Sequence, residues 1–282
     1  MSPPKILHMK RYLILSAISC ILFSVMAGAQ DLVILHTNDT HSHVDPVRAG
    51  EYAGMGGVIE RAVFVDSVRH AMGRKNVLLL DAGDFSQGTS YFTLMKGDVE
   101  VECMNAMRYD AACLGNHEFD NGLDELARRI AACRFPVVCA NYDFDNPALE
   151  KLVRPYCILR RGGLRIGVIG LLTDLSVVVD KPIADKIEYL DPLECANRYA
   201  RILKEEKHCD MVICLTHLGY EGEFFTDREL VRGLENVDLV IGGHSHTFLE
   251  KAETEEDSRG KDVPIVTDGC WGLYVGQVNV WR

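Results

Sequence analysis

The sequence lacks the paired C-x-x-C spacing that zinc ribbons and thiol redox motifs use, although it contains ten cysteines. Nine of them, an odd number, follow residue 29. Cys103 with Cys113, or Cys133 with Cys139, can pair in an oxidising compartment. A thiol in an apolar segment, such as that of Cys214, instead behaves as a small buried hydrophobe. We predict buried free thiols for most of the nine.

Basic side chains are scarce. The chain has 30 Lys and Arg residues against 41 Asp and Glu residues, which gives a formal charge of −11. Because the first 29 residues carry three basic residues and no acidic one, the rest of the chain carries −14. No basic stripe offsets the charge of phosphate groups, which excludes a nucleic-acid polymer as the partner and disfavours anionic membranes. A small anionic substrate is compatible with this charge if metal cations supply the local positive charge.

An apolar run long enough to span a membrane is also missing. Residues 12–26 are uncharged and apolar, but about 15 residues fall short of the roughly 20 that cross a bilayer. Two basic residues precede this run, and residues 27–29 (Ala-Gly-Ala) follow it as a small-x-small cleavage site. The pattern predicts a signal peptide over residues 1–29 and export to the periplasm or the extracellular space, without stable membrane insertion after cleavage.

Short apolar runs alternate with amphipathic stretches from residue 31 onward, with no internal repeat, low-complexity tract or flexible linker. This alternation predicts one layered α/β domain over residues 30–282. The predicted strands cover residues 32–36, 77–81, 111–114, 137–140, 165–171, 211–216, 239–241 and 264–267. The predicted helices cover residues 57–71, 99–108, 122–131, 192–207 and 227–233. We also predict a hairpin over residues 156–171, a closing strand over residues 273–281 and a solvated loop over the charged residues 250–262.

Polar motifs follow the ends of the predicted strands. Asp39-Thr40-His41 comes just after the first strand, and its carboxylate and imidazole can chelate one divalent cation. Asp84 follows the second strand, after a glycine that lets the backbone bend toward a shared crevice. A carboxylate has two oxygens and can bridge two cations, which makes Asp84 the candidate for a shared ligand. Asp81 lies inside the apolar run, where we expect a structural hydrogen bond.

The motif Gly115-Asn116-His117-Glu118 follows the third strand and is the most specific of the set. Asn116 supplies a neutral oxygen to a metal. His117 lies beside the centre without needing to be a ligand, which suits an acid or a donor to the transition state. Asp120 can accept the other ring N–H of His117 and fix its tautomer.

Three further histidines complete the pattern. His217 follows the strand at residues 211–216, and His244 and His246 lie on a glycine-rich loop after residues 239–241. Because loops at the carboxyl ends of α/β strands converge on one crevice, these groups can meet there. Each motif alone has a structural interpretation, such as a cap, a turn or a hydrogen-bonded histidine. Five of them at strand ends favour a metal centre, whereas His36, inside the first strand, is predicted to be packed or hydrogen-bonded.

The order of these motifs resembles that of the calcineurin-like metallophosphoesterases and, more narrowly, that of the N-terminal catalytic domain of the 5′-nucleotidases. The resemblance rests on HTNDTH (36–41), LLLDAGDFSQGTSYF (78–92), LGNHEFDNG (114–122), CANYDFDNP (139–147), GVIGLLTD (167–174), THLG (216–219) and VIGGHSHTF (240–248). It extends from residue 32 to the end of the sequence.

The resemblance implies a four-layer α/β/β/α sandwich with a dinuclear centre of two divalent cations. It assigns one cation to Asp39, His41, Asp84 and His246, the other to Asp84, Asn116, His217 and His244, and a catalytic dyad to His117 and Asp120. Mixed carboxylate, amide and imidazole ligands suit zinc, manganese, iron or cobalt better than calcium.

The reaction that the resemblance implies is hydrolysis of a nucleoside 5′-phosphate, by in-line attack of a metal-activated hydroxide on phosphorus. Alternatives of the same class are a 2′,3′-cyclic nucleotide phosphodiesterase, a nucleotide-sugar hydrolase or another phosphoesterase. An alternative of another class is a non-catalytic metal-binding subunit of an exported complex. The 5′-nucleotidases also carry a C-terminal substrate-binding domain that is absent from this sequence, which makes a separately encoded domain a candidate partner.

Overall fold

Two β-sheets that face each other form the centre of the protein. The computed structural model describes residues 30–281, and the signal peptide predicted for residues 1–29 lies outside this range. In β1 (Gln30–Thr37), Leu32 and Ile34 face the opposite sheet, whereas Val33 and Leu35 face the helices. Side chains alternate between the two faces of a strand, and both faces are covered here, so the strand forms a continuous apolar run.

The other strands are β2 (Val77–Asp81), β3 (Ala111–Cys113), β4 (Val137–Val138), β5 (Tyr142–Phe144), β6 (Val153–Arg154), β7 (Tyr156–Arg161), β8 (Leu164–Leu172), β9 (Ile187–Tyr189), β10 (Met211–His217), β11 (Leu239–Ile241), β12 (Glu253–Glu256), β13 (Asp262–Val266) and β14 (Gly276–Trp281). The helices are α1 (Val58–Met72), α2 (Ser90–Met95), α3 (Asp98–Met107), α4 (Leu123–Ala132), α5 (Leu149–Leu152), α6 (Lys181–Ala184), α7 (Pro192–Arg201) and α8 (Asp227–Gly233).

Both sheets are mainly parallel. The first has the strand order β14-β1-β2-β3-β4-β6, and only the pairing of β14 with β1 is antiparallel. The second has the order β12-β13-β11-β10-β8-β7, and both of its edge pairs are antiparallel. The carboxyl ends of the parallel strands therefore lie together at one edge of each sheet, where α/β proteins place their functional loops.

Three apolar layers hold four layers of secondary structure together. One lies between the sheets and contains Leu80 and Ile213. A second joins the first sheet to α1, α3 and α4, and a third joins the second sheet to α7 and α8. The predicted four-layer α/β/β/α sandwich is confirmed.

Helix boundaries follow local sequence signals. Helix α7 begins with a proline after Asp191, whose side chain accepts the N–H of Glu194. Helix α8 follows a capping box in which Thr226 and Glu229 satisfy each other's backbone N–H groups. The helix predicted for residues 192–207 ends at Arg201 and continues as a π-helical turn over Ile202–Glu206.

One element differs in kind from its prediction. Residues 250–262, predicted as a solvated loop, contain strand β12, which pairs antiparallel with β13 at the edge of the second sheet. The side chains of this strand are mostly exposed, so its sequence shows no apolar alternation that would mark a strand. Charged residues suit such an edge because they discourage pairing with other chains.

The nine cysteines of the described range are all free, so neither Cys103–Cys113 nor Cys133–Cys139 is bonded. Five of the nine thiols are buried. Burial raises the pKa of the Cys139 thiol to about 12, which makes it a poor nucleophile at neutral pH. Among residues 30–281, no helix combines the length and the hydropathy that a bilayer crossing requires.

Candidate metal centre

The polar motifs meet at the carboxyl edge that the two sheets share. From the first sheet, β1 leads to Asp39 and His41, β2 leads to Asp84, and β3 leads to Asn116 and His117. From the second sheet, β10 ends at His217, and β11 leads to the loop with His244 and His246. A crevice of about 520 Å³ opens between these loops, and five of the seven predicted ligands line it, namely His41, Asp84, Asn116, His244 and His246. The other two, Asp39 and His217, are fully buried.

The backbone of this edge is unusual. Asp39, His41, Asp84, His244 and His246 all have positive φ angles, between 44° and 80°. Residues with a Cβ rarely adopt the left-handed region, and such conformations cluster at functional sites because the surrounding structure must hold them. Five of the seven predicted ligands are thus held in costly conformations that turn their side chains into the crevice region.

The first group of donors, which we call the rim half-site, consists of Asp39, His41 and His246. The Nε2 atoms of His41 and His246 face each other at 2.9 Å, and Asp39 Oδ1 lies 3.4 Å from His246 Nε2 and 3.8 Å from His41 Nε2. The His246 side chain is 41% exposed, whereas those of Asp39 and His41 are buried. Hydrogen bonds to Asp39 and to Cys270 raise the pKa of His246 to about 10.

The second group, the buried half-site, consists of Asp84, His217 and His244. His217 Nδ1 donates to the backbone carbonyl of Ala82 at 2.7 Å, which leaves Nε2 directed at Asp84 Oδ2, 3.0 Å away. Burial lowers the pKa of His217, but Asp84 and Asp39 outweigh burial and raise it to about 10. The His244 ring lies 5.1 Å from the His217 ring, and burial lowers the pKa of His244 to about 4.

Asp84 lies between the two half-sites. Its Oδ2 is 3.0 Å from His217 Nε2 and 4.0 Å from His41 Nε2, so one carboxylate oxygen approaches a histidine of each group. Its Oδ1 accepts the backbone N–H of His117 at 2.9 Å. Burial opposes ionisation of Asp84, but the neighbouring His217 and His41 hold its pKa below the usual range. A carboxylate that bridges two cations must lie between their ligand groups, as Asp84 does.

The donor set fits divalent cations. In each half-site, the three ligand atoms lie within 4.8 Å of one another. The amide oxygen of Asn116 is buried and has no hydrogen-bond partner among the described residues, although a buried amide oxygen normally has one. Two imidazole nitrogens facing each other beside a carboxylate are also the arrangement that a cation between them would stabilise.

His117 and Asp120 form a pair at the mouth of the crevice. His117 Nδ1 lies 3.0 Å from Asp120 Oδ2, and both side chains are about 30% exposed. Because the carboxylate can only accept, Nδ1 donates, and Nε2 is the ring nitrogen that this hydrogen bond leaves available. Burial lowers the pKa of His117, but the hydrogen bond to Asp120 and the nearby Asp84 raise it overall. The His117 ring lies 5.4 Å from that of His41, next to the rim half-site.

Trp271 is a crevice residue that the strand-end motifs did not indicate. Its backbone has a φ of 61°, its N–H donates to the carbonyl of Asp39 at 2.7 Å, and its ring stacks on His43 at 5.3 Å. It follows β13, whose carboxyl end lies at the same edge as the other loops. Its position after a predicted strand is the sequence feature that could have indicated Trp271 as a crevice residue.

Two residues that we placed outside the centre have structural roles. Asp81 accepts hydrogen bonds from the Thr37 hydroxyl and from the Gly83 N–H, as predicted. His36 is packed inside β1 with 2% exposure, and burial lowers its pKa to about 4.

The protein has a metallophosphatase-type fold, with two facing sheets covered by outer helices. Carboxylate, amide and imidazole donors lie at the carboxyl edge of the sheets. The family model for calcineurin-like phosphoesterases matches residues 32–248, and the chain belongs to this family.

Relatives extend the likeness to 5′-nucleotidases. The chain is 35% identical to the snake venom 5′-nucleotidase of Gloydius brevicauda, over 93% of this chain and 47% of the venom protein. It superimposes on a 5′-nucleotidase precursor from Thermus thermophilus with a TM-score of 0.81 and 39% identity, covering 88% of this chain and 51% of that one. A NAD nucleotidase from Haemophilus influenzae has a TM-score of 0.77 and 27% identity, over 88% of this chain and 52% of that one. The chain therefore spans about half the length of these proteins.

Proposed function

We propose that this chain is an exported phosphoester hydrolase that uses two divalent cations and acts on nucleotides as a 5′-nucleotidase-like phosphomonoesterase. The observation that carries the proposal is the convergence of two donor half-sites on one crevice, joined by Asp84 and adjoined by the His117–Asp120 pair. The likeness to 5′-nucleotidases supports the choice of substrate class.

Each half-site would hold one cation. Asp39, His41 and His246 would bind the first, His217, His244 and Asn116 the second, and Asp84 would contribute to both. When bound, the two cations supply Lewis acidity that neutralises the phosphoryl oxygens and makes a water molecule more acidic. The donors suit zinc, manganese, iron or cobalt.

The chain's own residues then account for orientation and proton transfer. The carbonyl of Ala82 fixes the tautomer of His217, so that its Nε2 is available as a ligand. Asp120 fixes His117 in the same way and stabilises its protonated form. Hydrolysis breaks the bond between phosphorus and the ester oxygen, and the leaving oxygen needs a proton. Protonated His117 can donate that proton from Nε2, and water supplies the hydroxyl group of the phosphate product.

A second candidate is cleavage of a dinucleotide such as NAD into mononucleotides, which the structural likeness to the Haemophilus influenzae NAD nucleotidase favours. The open crevice of about 520 Å³ does not restrict the substrate to a monoester. The same donors serve both ester types, so the two candidates differ in substrate and not in machinery.

The predicted signal peptide supports the proposed export, and the acidic net charge of −11 should repel a nucleic-acid polymer.

The test is hydrolysis by the protein lacking residues 1–29, before and after exhaustive chelation, with Mn²⁺, Co²⁺ or Zn²⁺ added back. We expect phosphate release from AMP to disappear on chelation and to return with metal. NAD and 2′,3′-cyclic AMP distinguish the alternative substrates. The control is His70→Ala, which removes an exposed histidine from α1.

Activity that persists in protein shown to be metal-free by elemental analysis would contradict the two-cation proposal. Tight binding of two cations without hydrolysis of any phosphoester would instead favour the non-catalytic metal-binding subunit.

A further inference from the structure

Glu118 lies at the base of the centre, but it belongs neither to a half-site nor to the His117–Asp120 pair. It is in the short 3₁₀ turn His117–Phe119 and is fully buried. A buried carboxylate is costly unless its oxygens receive hydrogen bonds, so its partners indicate what it holds.

The two oxygens of Glu118 accept three backbone hydrogen bonds from two different loops. Oε2 accepts the N–H of Asp84 at 2.9 Å and the N–H of Gly115 at 2.7 Å. Oε1 accepts the N–H of Ser86 at 3.0 Å. Asp84 and Ser86 belong to the loop after β2, and Gly115 precedes Asn116 in the loop after β3. One carboxylate thus connects the two loops of the first sheet that carry Asp84 and Asn116, which are predicted to bind the same cation.

The same connection orients the Asp84 side chain. While the backbone N–H of Asp84 donates to Glu118, its side-chain Oδ1 accepts the N–H of His117, the residue next to Glu118. The loops are in close contact, since a Cβ on Gly115 would lie 2.1 Å from Asp84 Oδ1. A shift of either loop would therefore move the bridging carboxylate relative to Asn116.

Arg129 supports this arrangement from helix α4. It is 1% exposed, its Nη1 donates to the Ser86 hydroxyl at 2.9 Å, and its Nη2 donates to the backbone carbonyl of Glu118. Its guanidinium is packed closely, since a Cβ on Gly97 would lie 2.6 Å from Nη1. Arg129 thus holds the same two segments that the Glu118 carboxylate connects.

We propose that Glu118, supported by Arg129, is a positioning residue that fixes the distance between the Asp84 and Asn116 loops and thereby sets the metal affinity of the buried half-site. The inference rests on the proposed function only insofar as the centre binds divalent cations. Groups that orient metal ligands typically change metal affinity or activity by about 10–100-fold when they are replaced.

The test compares Glu118→Gln with Glu100→Gln in the protein lacking residues 1–29. The amide introduced by Glu118→Gln keeps only one acceptor oxygen. Its NH2 group must face either the Ser86 N–H or the N–H groups of Asp84 and Gly115, so at least one of the three backbone hydrogen bonds is lost. Glu100 is a matched control because it is also a buried glutamate, at 4% exposure, but it lies on α3 and has no hydrogen bond to a ligand loop among the described residues.

Mn²⁺ binding to chelator-stripped protein is measured by calorimetry, well below the melting temperature. We expect Glu118→Gln to weaken one of the two ions by about 10–100-fold and to leave the other within a few-fold of wild type. Its kcat should fall at low Mn²⁺ and recover when Mn²⁺ is raised, while KM changes little. Loss of global packing alone would not produce this selective, metal-reversible defect, and Glu100→Gln should bind both ions as wild type does.

Unchanged Mn²⁺ affinities in a folded Glu118→Gln protein would overturn the proposal. If that variant does not fold, Arg129→Lys takes its place, since lysine keeps the charge but cannot contact both Ser86 and the Glu118 carbonyl. Wild-type affinities in Arg129→Lys would then overturn it. Failure of the wild-type protein to bind Mn²⁺ at all would instead refute the proposed function, and with it this inference.

Discussion

The two half-sites are built from similar donors, but the protein encloses them differently. In the buried half-site, His217 is fully buried, is fixed through Nδ1 by a backbone carbonyl, and lies 3.0 Å from Asp84. In the rim half-site, His246 is 41% exposed and its ring is held by Asp39 and the partner imidazole of His41. A ligand that is shielded from water holds its cation with higher affinity and slower dissociation than one that faces solvent, because water cannot take its place. We therefore expect the buried half-site to bind the tighter cation and the rim half-site to exchange its cation.

Because the two half-sites differ in exposure to solvent, we expect them to have different roles in the reaction. A tightly held cation fixes geometry, whereas a cation near solvent is accessible to water and to the substrate. His117 lies beside the rim half-site, its ring 5.4 Å from that of His41, so the proposed acid is next to the more open group. The substrate should approach from this side.

The largest expected effect is that of Asp84→Asn, because this change abolishes the charge shared by both groups. Asp84 approaches a histidine of each half-site, so the variant should lose affinity for both cations. Loss of several kcal/mol of charge stabilisation corresponds to a decrease in kcat on the order of 10⁴-fold. His41→Ala is the comparison and should chiefly weaken the rim cation. Two tightly bound ions in Asp84→Asn, measured by elemental analysis, would show that Asp84 is not the bridge.

His117→Asn should separate catalysis from metal binding. The variant removes the proposed acid but none of the half-site donors, so both ions should stay bound while kcat falls by roughly 10²–10⁴-fold. With p-nitrophenyl phosphate the loss should be smaller, because that leaving group needs little protonation. An equal loss for AMP and p-nitrophenyl phosphate would indicate that His117 stabilises the phosphoryl group instead.

The comparison of His217→Ala with His246→Ala tests the difference between the half-sites directly. Water can take the place of the exposed His246 ring when that ring is removed. Removal of the fully buried His217 ring instead leaves the buried charge of Asp84 without its histidine partner. We expect His217→Ala to lose at least about 10-fold more affinity for its cation, or about 1.4 kcal/mol. Calorimetric titration of each variant with Mn²⁺ measures this. Equal losses would mean that burial does not distinguish the two groups.

The convergence of these donors could largely be predicted from the sequence because the predicted ligands follow the ends of strongly apolar strands. The boundaries of β2 and β11 were predicted correctly, so Asp84 and His244 could be placed at the right edge. The grouping of donors into two half-sites came from the resemblance and not from spacing, since His41 and His246 are 205 residues apart and meet only when the two sheets pack. Trp271 follows a predicted strand, but it was not singled out because it carries no metal-ligand chemistry. Strand β12 was missed because it has no apolar alternation.

The smallest effect on the centre is expected from replacing His36, which lies in the strand that leads to the rim half-site. Such a variant distinguishes the stability of the fold from the metal affinity of the two half-sites. Burial lowers its pKa from 6.5 to about 4, so between these values the unfolded chain binds the additional proton. Acidification through this window should thus destabilise the protein, by up to roughly 3 kcal/mol below pH 4. In His36→Leu this contribution should vanish, while Mn²⁺ affinities at pH 7 stay at wild-type values for both half-sites.

Urea unfolding from pH 7.5 to 4 compares how the free energy of unfolding of the wild type and of His36→Leu depends on pH. Both proteins are stripped with chelator, so that bound metal does not contribute. A His36→Leu protein with the wild-type pH dependence would show that other groups cause the acid sensitivity, and a changed Mn²⁺ affinity would show that β1 transmits packing changes to the rim half-site.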